Sequence, residues 1–563
     1  MGTISDKLMR IINTKEDIRQ ALISKGYDVP TSIPFKEYAK MISDLPCRVD
    51  SFPDIEGIVA RYSALGLTNE QMATNPVWVD KTGNGYDLQL KNFSWKGMSG
   101  VGGYGDENHQ TFYKFTLDDY VFIATPPGVK HMNFTFRVTG LQPGNKLTLA
   151  FFGTTNTVYG TWNKDGIYTV DADIVEAGKP TYFYNGYGAT RGEFTIEILP
   201  LYPGALVFDG VDDYGVCENF PILTKEKGYT VVALRQWIEE KNDSTALVSN
   251  CKNWNQDGAF LFEYNNLRIN FLNVAISFGH VSSVDRGKSP FSYQTSKLYN
   301  GKNIKPGSFI GSNELVVGKG NKDFPTVSNA AIWEIVILDH DATEEELTKI
   351  KDYFVKTYPW LFPDQAWTVV GKTNEDEDRA TIANITGNGN DLVLSNFGFA
   401  EGSGYNEEGE YAGYLVTDGV DDKIISSIFK MGNDWTVIGD WELINTGKND
   451  NAGIVKFDSI VIYNYNYNYN SMLINIKNGR NILIPDQNTV NAICSDGRIY
   501  SKDWKESIYN EETESTSKNF LTIGYSGNAY TKIAFKNLAI YPTVLSREDC
   551  IKAYNYLQTL KAK

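Results

Sequence analysis

The chain has 563 residues with 34 Tyr, 29 Phe, 11 Trp and 50 Gly, a composition that excludes a mainly helical or a disordered protein and predicts β-rich, turn-rich domains, three or four by length. Its formal net charge of −16 disfavours nucleic-acid binding, which rests on clustered Lys and Arg. No run approaches the roughly 18 apolar residues of a membrane span, so no membrane partner is expected.

In chain order, residues 1–50 come first as a helical module and linker. "TKEDIRQALISKG" predicts a helix with Thr14 as N-cap, Ile18, Ala21 and Leu22 on one side and Gly26 as its stop. "SIPFKEYAKMISDLP" predicts a second, with Phe35, Tyr38, Ala39 and Ile42 on one stripe and Pro46 ending it. So short a segment cannot bury these stripes alone, so they are expected to dock on another protein or on copies of themselves. The N-terminus lacks the apolar core of a signal peptide.

Beyond the linker the sequence repeats. "LVFDGVDD" at Leu206–Asp213 recurs as "LVTDGVDD" at Leu415–Asp422, and "TGNGYDLQLKNF" upstream of the first recurs as "TGNGNDLVLSNF" upstream of the second. Gly83 lies 126 residues before Asp209, whereas Gly387 lies 31 before Asp418; the first copy therefore carries about 95 additional residues. That is a domain's worth of chain, predicting a unit inserted at 104–200. Within it, "NFTFRVTGLQPGNKLTLAFF" puts Phe134, Phe136 and Val138 on one strand face, and "GEFTIEIL" does the same with Phe194, Ile196 and Ile198.

Each repeat alternates short strands with Gly, Asn and Asp clusters and closes with one helix, capped by Thr343 with Glu346 in the first copy and by Ser546 with Asp549 in the second. The fold class expected is mainly β: two jelly-roll sandwiches at 54–103 plus 201–363 and at 365–563, with a small β-sandwich inserted in the first, behind the helical module. The motifs "FDGVDDY" and "TGNG" and the closing helix resemble the concanavalin A-like lectin/glucanase superfamily, nearest its laminin G-like branch; the resemblance implies two lectin-like sandwiches.

The residues carry little chemistry. Asp212, Asp213, Asp421 and Asp422 admit a calcium reading, since hard cations want clustered carboxylates. Asx-turn hydrogen bonding around Gly210 and Gly419 accounts for the same residues structurally, and no metal is assigned. Glycosidases need paired carboxylates sharing a cleft. No E-x-D-x-E spacing occurs, and Glu334 and Asp339 fall on opposite faces of a strand. His109, His131, His280 and His340 form no metal or triad pattern, and the Gly-rich "GKGNK" and "GMSGVGG" read as turns, so no catalytic residue and no cofactor is expected. Cys47, Cys217, Cys251, Cys494 and Cys550 read as small buried thiols of a protein made in a reducing cytoplasm.

"YNYNYNYN" is the one low-complexity stretch. An extended strand puts Tyr463, Tyr465, Tyr467 and Tyr469 on one face, where they could stack on sugar rings, meet a neighbouring subunit, or pack on nearby surface.

The N-terminal pair "IRQALISKGYDVPTSIPFKEYAKMI" resembles short modules of bacteriophage head- and tail-fibre proteins, notably of crAss-like and other Bacteroides phages. That resemblance implies a virion structural protein, most simply a head fibre or capsid decoration, made in the host cytoplasm. It is expected to assemble as a homo-oligomer, to hold other virion proteins through its N-terminal helices and to meet host-surface glycans. A tail fibre, a bacterial adhesin and a polysaccharide depolymerase are the alternatives.

Overall fold

A computed structural model describes residues 52–562 except 105–111, 116–119, 124–130, 142–144, 152–156, 164, 174–180, 186–193, 225, 240–244, 252–257, 264–288, 304–311, 321, 324–325, 408–410, 428–431, 445–452, 458–459, 466–470, 477–479, 485–489, 502–503, 505, 509–520 and 527–528. The N-terminal module lies outside the described residues. The rest is mainly β, and the described strand pairs are antiparallel.

Two pairs of sheets follow one plan. In the first repeat the strand Asn329–Leu338 is central: Thr230–Glu239 pairs along one edge, while Ile58–Ser63 and Leu206–Asp209 share the other end to end. In the second repeat Ile533–Tyr541 takes the same place between Thr436–Leu443 and, end to end, Gln365–Thr368 and Leu415–Val416. The register slips by one residue at the same point in both, between Leu234 and Arg235 and between Asp440 and Trp441, leaving Trp333 and Lys536 as the extra residues of matching β-bulges. The companion sheets run in matching order too: Val77–Trp78, Leu88–Lys91, Tyr214–Cys217, Leu315–Val317, Val248–Cys251, Gly258–Phe262 in the first, and Thr381–Ile382, Leu392–Ser395, Lys423–Ser426, Leu521–Ile523, Gly453–Phe457, Ile460–Tyr465 in the second. The second then continues through Ser471–Ile476 and Arg480–Ile484.

Alternation along the central strands decides the layering. Ala330, Ile332, Ile335 and Ile337 face the companion sheet and join Leu88, Leu315 and Phe260 in one core; Ala331, Trp333, Val336 and Leu338 face the other way. In the second repeat Leu538 and Ile540 face the companion sheet while Ala539 and Tyr541 face away. The away-facing residues of both repeats meet in one shared hydrophobic layer. It is filled by the helices α2 (Glu344–Thr357) and α3 (Arg547–Gln558) and by the 3-10 turn Pro359–Leu361. The order is therefore companion sheet, central sheet, helical layer, central sheet, companion sheet.

Both helices start as expected. Thr343 and Glu346 form a reciprocal capping box, and the Ser546 hydroxyl accepts from Asp549 N–H, caps worth about 1 kcal/mol each. A short helix α1 (Asn69–Thr74), capped by Thr68, was not anticipated; its signal was Thr68 followed by Glu70 in the first turn.

Residues 112–199 contribute two further sheets whose strands pair only among themselves, Gly166–Asp173 with His131–Thr139, Phe194–Leu199 and Phe112–Phe115, and Tyr120–Ile123 with Thr181–Asn185, Leu147–Phe151 and Thr157–Trp162. Phe134, Phe136, Val138, Phe194, Ile196 and Ile198 are buried in the core between them, and Arg137 meets Glu197 across the strands at 2.7 Å on the other face. The two ends of this segment are hydrogen-bonded together, Leu201 N–H to Gly103 O and Tyr202 N–H to Gly102 O, both 2.8 Å.

Candidate functional site

The duplicated turns form two matching rims. Gly210 and Gly419 sit at φ +73° and +74°, the left-handed conformation that lets the chain reverse tightly. Asp209 Oδ1 accepts from Val211 N–H at 2.7 Å and Asp212 N–H at 3.4 Å, while Asp213 Oδ2 accepts from Asp209 N–H at 3.1 Å. In the second repeat Asp418 Oδ1 accepts from Val420 N–H at 2.7 Å and Asp421 N–H at 3.2 Å, and Asp422 Oδ2 accepts from Asp418 N–H at 2.8 Å. These are Asx turns, so most of the acidic pattern is spent on the backbone.

A second turn locks onto each. Asn92, in the left-handed region, donates its side-chain amide to Asp212 O at 3.0 Å, and Asn396 does the same to Asp421 O at 3.0 Å. Ser99 donates to Asp213 Oδ1 at 3.1 Å, and at the matching place Ser403 Oγ accepts from Gly398 N–H at 2.8 Å. Phe93 stacks on Trp95 with ring centres 4.9 Å apart, and the equivalent Phe397 and Phe399 are half-buried on the second rim. Trp95 and Phe399 both hold a positive φ. At the tips Val211 and Val420 are 71% and 66% exposed. Phe93, Trp95, Asn92 and Ser99 are site residues the sequence reading missed; the signal was there, in "KNFSWKGMSG" recurring as "SNFGFAEGSG".

Each carboxylate trio, Asp209 with Asp212 and Asp213 and Asp418 with Asp421 and Asp422, holds its oxygens within 4.8 Å of one another. Asp213 and Asp422 are fully buried. Burial, followed by the neighbouring Asp209 charge, pushes Asp213 up to about 8. Burial pushes Asp422 up to about 6. These are the residues that could hold a hard cation.

The other acids are engaged elsewhere. Glu334 lies under α2, bonded to Arg61 at 3.3 Å and to the Tyr358 hydroxyl at 2.7 Å. Asp339 pairs with Lys227 at 3.1 Å near His340, which also meets Glu346 at 3.2 Å. Burial alone would raise Glu263, but bonds from Arg235, Ser292 and Trp237 hold it at about 2. Tyr463 and Tyr465 lie on the strand Ile460–Tyr465, opposite Leu473 and Ser471; Tyr467 and Tyr469 lie outside the described residues, as do His109 and His280. Cys217, Cys251, Cys494 and Cys550 are buried free thiols, and Cys47 lies outside the described residues.

No protein-family model matches the chain, and no curated protein matches it. Among solved structures it is similar to Trypanosoma rangeli sialidase over 49% of its length at 8% identity and a TM-score of 0.23, spanning 44% of that chain. It is also similar to that sialidase in complex with sialic acid, over 75% of this chain and 77% of that one, at 10% identity and a TM-score of 0.24. The binding domain of Paraclostridial Mosquitocidal Protein 1 is similar over 58% of this chain and 86% of that one, at 13% identity and a TM-score of 0.19. The chain thus spans less than half the length of the first sialidase, and TM-scores this low carry no argument about function.

Proposed function

We propose that the chain is a structural protein of a tailed-phage virion, a head fibre or capsid decoration that presents two lectin-like sandwiches to host-surface glycans. The observation that supports this reading is the rim built twice on the same Asx-turn plan, each setting a half-buried phenylalanine, Phe93 or Phe397, beside an exposed aspartate, Asp212 or Asp421, and an exposed valine. Aromatic faces stack on sugar rings and carboxylates accept from sugar hydroxyls, and two weak sites gain avidity when both engage. Binding rather than hydrolysis is favoured because Glu334 and Glu263 are consumed by buried arginine pairs and have no face toward a substrate. The N-terminal module would tether the sandwiches to the particle.

The test uses the full chain on immobilised host capsular polysaccharide, alongside mass spectrometry of purified virions. Retention that falls at least tenfold when Phe93→Ala and Phe397→Ala are combined, without new reducing ends, supports glycan display. Retention unchanged by both substitutions, or reducing ends that vanish on mutating one Asp or Glu, overturns it. Absence of the chain from purified particles overturns the virion role.

A further inference from the structure

Cys494 ends the strand Val490–Cys494 of the second central sheet, and Cys550 lies in the first turn of α3, which packs on that sheet. Both thiols are fully buried in the shared layer. Two neighbours bring them to one spot. The Thr436 hydroxyl lies 3.7 Å from Cys494 Sγ and accepts from Leu545 N–H at 2.9 Å. Leu545 O in turn accepts from Cys550 Sγ at 3.9 Å. The two thiols are close enough to perturb each other's ionisation. We propose that Cys494 and Cys550 are a latent disulfide site, oxidised by a peroxide to a cross-link that staples α3 to its sheet.

The neighbouring Cys550 thiol, helped by Thr436 and the Arg498 charge, draws the Cys494 thiol below its ordinary range. The same contact and burial push Cys550 up. The same disulfide results whichever of the two sulfurs reacts first, Cys494 being taken as the start. The Cys494 thiolate attacks one oxygen of hydrogen peroxide, the O–O bond breaks, and a sulfenic acid forms with loss of hydroxide, which takes up a proton as water. Cys550 sulfur then attacks the sulfenic sulfur; the S–S bond forms, the S–O bond breaks, and the second water leaves. Two thiols and one peroxide thus give one disulfide and two waters. Because both sulfurs are buried, the rate is set by transient opening of α3 and not by surface exposure. The bond would close a loop over residues 494–550 and fix the helical layer on which both sandwiches rest.

The experiment treats the full native chain with hydrogen peroxide, alkylates remaining thiols under denaturant, digests without reductant and maps the peptides. The expected result is a peptide pair joining Cys494 to Cys550 that reductant separates, with the thermal midpoint raised by roughly 4 °C for a loop of this length in a chain of this size. Cys494→Ser and Cys550→Ser variants, folded by circular dichroism, should show no such rise. Alkylation of both cysteines after peroxide, or linkage of either to a different cysteine, overturns the proposal. Should a serine variant fail to fold, peptide mapping of the unsubstituted chain alone decides.

Discussion

At the scale of residues, the two repeats keep what the backbone demands and change what the core permits. Gly100 and Gly404 hold φ +135° and +156°, and a methyl at either would stand 2.5 Å from the side-chain oxygen of Asn69 or Asn374. Each of those asparagines both donates to and accepts from the backbone of the strand residue after the glycine, Val101 or Tyr405. Gly100→Ala and Gly404→Ala should each cost about 3 kcal/mol in urea unfolding, from strain and overpacking together. Gly83→Ala, at φ +80° with open space around it, should cost only about 1 kcal/mol. Equal costs would show that crowding is not the cause. The rim aspartates give a second prediction. A folded-state pKa raised above the unfolded value of about 4 means the fold holds that proton more tightly, so stability falls as pH rises through the window. For Asp213 the window runs from about 4 to about 8, and for Asp422 from about 4 to about 6. Asp213→Asn should flatten the loss between pH 5 and 8 by up to about 1.4 kcal/mol per pH unit. Parallel urea midpoints for both proteins would refute this. Added calcium that abolishes the fall in the unsubstituted chain would mean that a cation occupies the rim.

At the scale of elements, sequence and structure agree where the signal is local. The Gly and Asx positions of the turns, the period-two alternation of Phe134, Phe136 and Val138, and the Thr343 and Ser546 caps are set by neighbours within a few residues. The buried ion pairs were invisible for the opposite reason: Arg61 and Glu334 are 273 residues apart, and Glu263, 28 residues after Arg235, lies in the turn just past the strand Gly258–Phe262. Their counterparts by register are Ala366 and Asn537 for the first pair and Trp441 for Arg235, so the repeat itself gave no warning. The hydrogen-bonded ends at Gly102–Gly103 and Leu201–Tyr202 make the inserted segment a candidate for clean removal. Replacing 105–199 with a short glycine linker should leave both repeats folded, because among the described residues no strand of the segment pairs outside it. Ile167 and Leu199 reach the shared layer, so a loss of roughly 3–5 kcal/mol is expected from their removal. Loss of cooperative unfolding in the remaining chain would mean the segment is part of the first sandwich's core.

At the scale of the whole molecule, the five-layer order could not be read from sequence, because alternation predicts two faces for each central strand without saying what covers the second. The structure answers with a layer that belongs to both repeats. Trp360 sits within it, 3% exposed, between the helices: its carbonyl accepts from the Tyr541 hydroxyl at 3.0 Å, and Lys552 lies 4.5 Å over its ring. Gln236 of the first repeat donates to the Thr559 hydroxyl just past α3 at 3.1 Å. A layer that both sandwiches need couples their stabilities, since unfolding either one strips apolar cover from the other. Trp360→Ala removes the largest side chain of the linking turn and should cost about 3–5 kcal/mol. That cost should be felt in both repeats at once. In hydrogen exchange, amides of Asn329–Leu338 and of Ile533–Tyr541 should lose protection together, and calorimetry should keep one main transition at a lower midpoint. Protection lost in one central strand alone, or a transition that splits in two, would mean that the sandwiches stand independently and that the helical layer merely fills space between them.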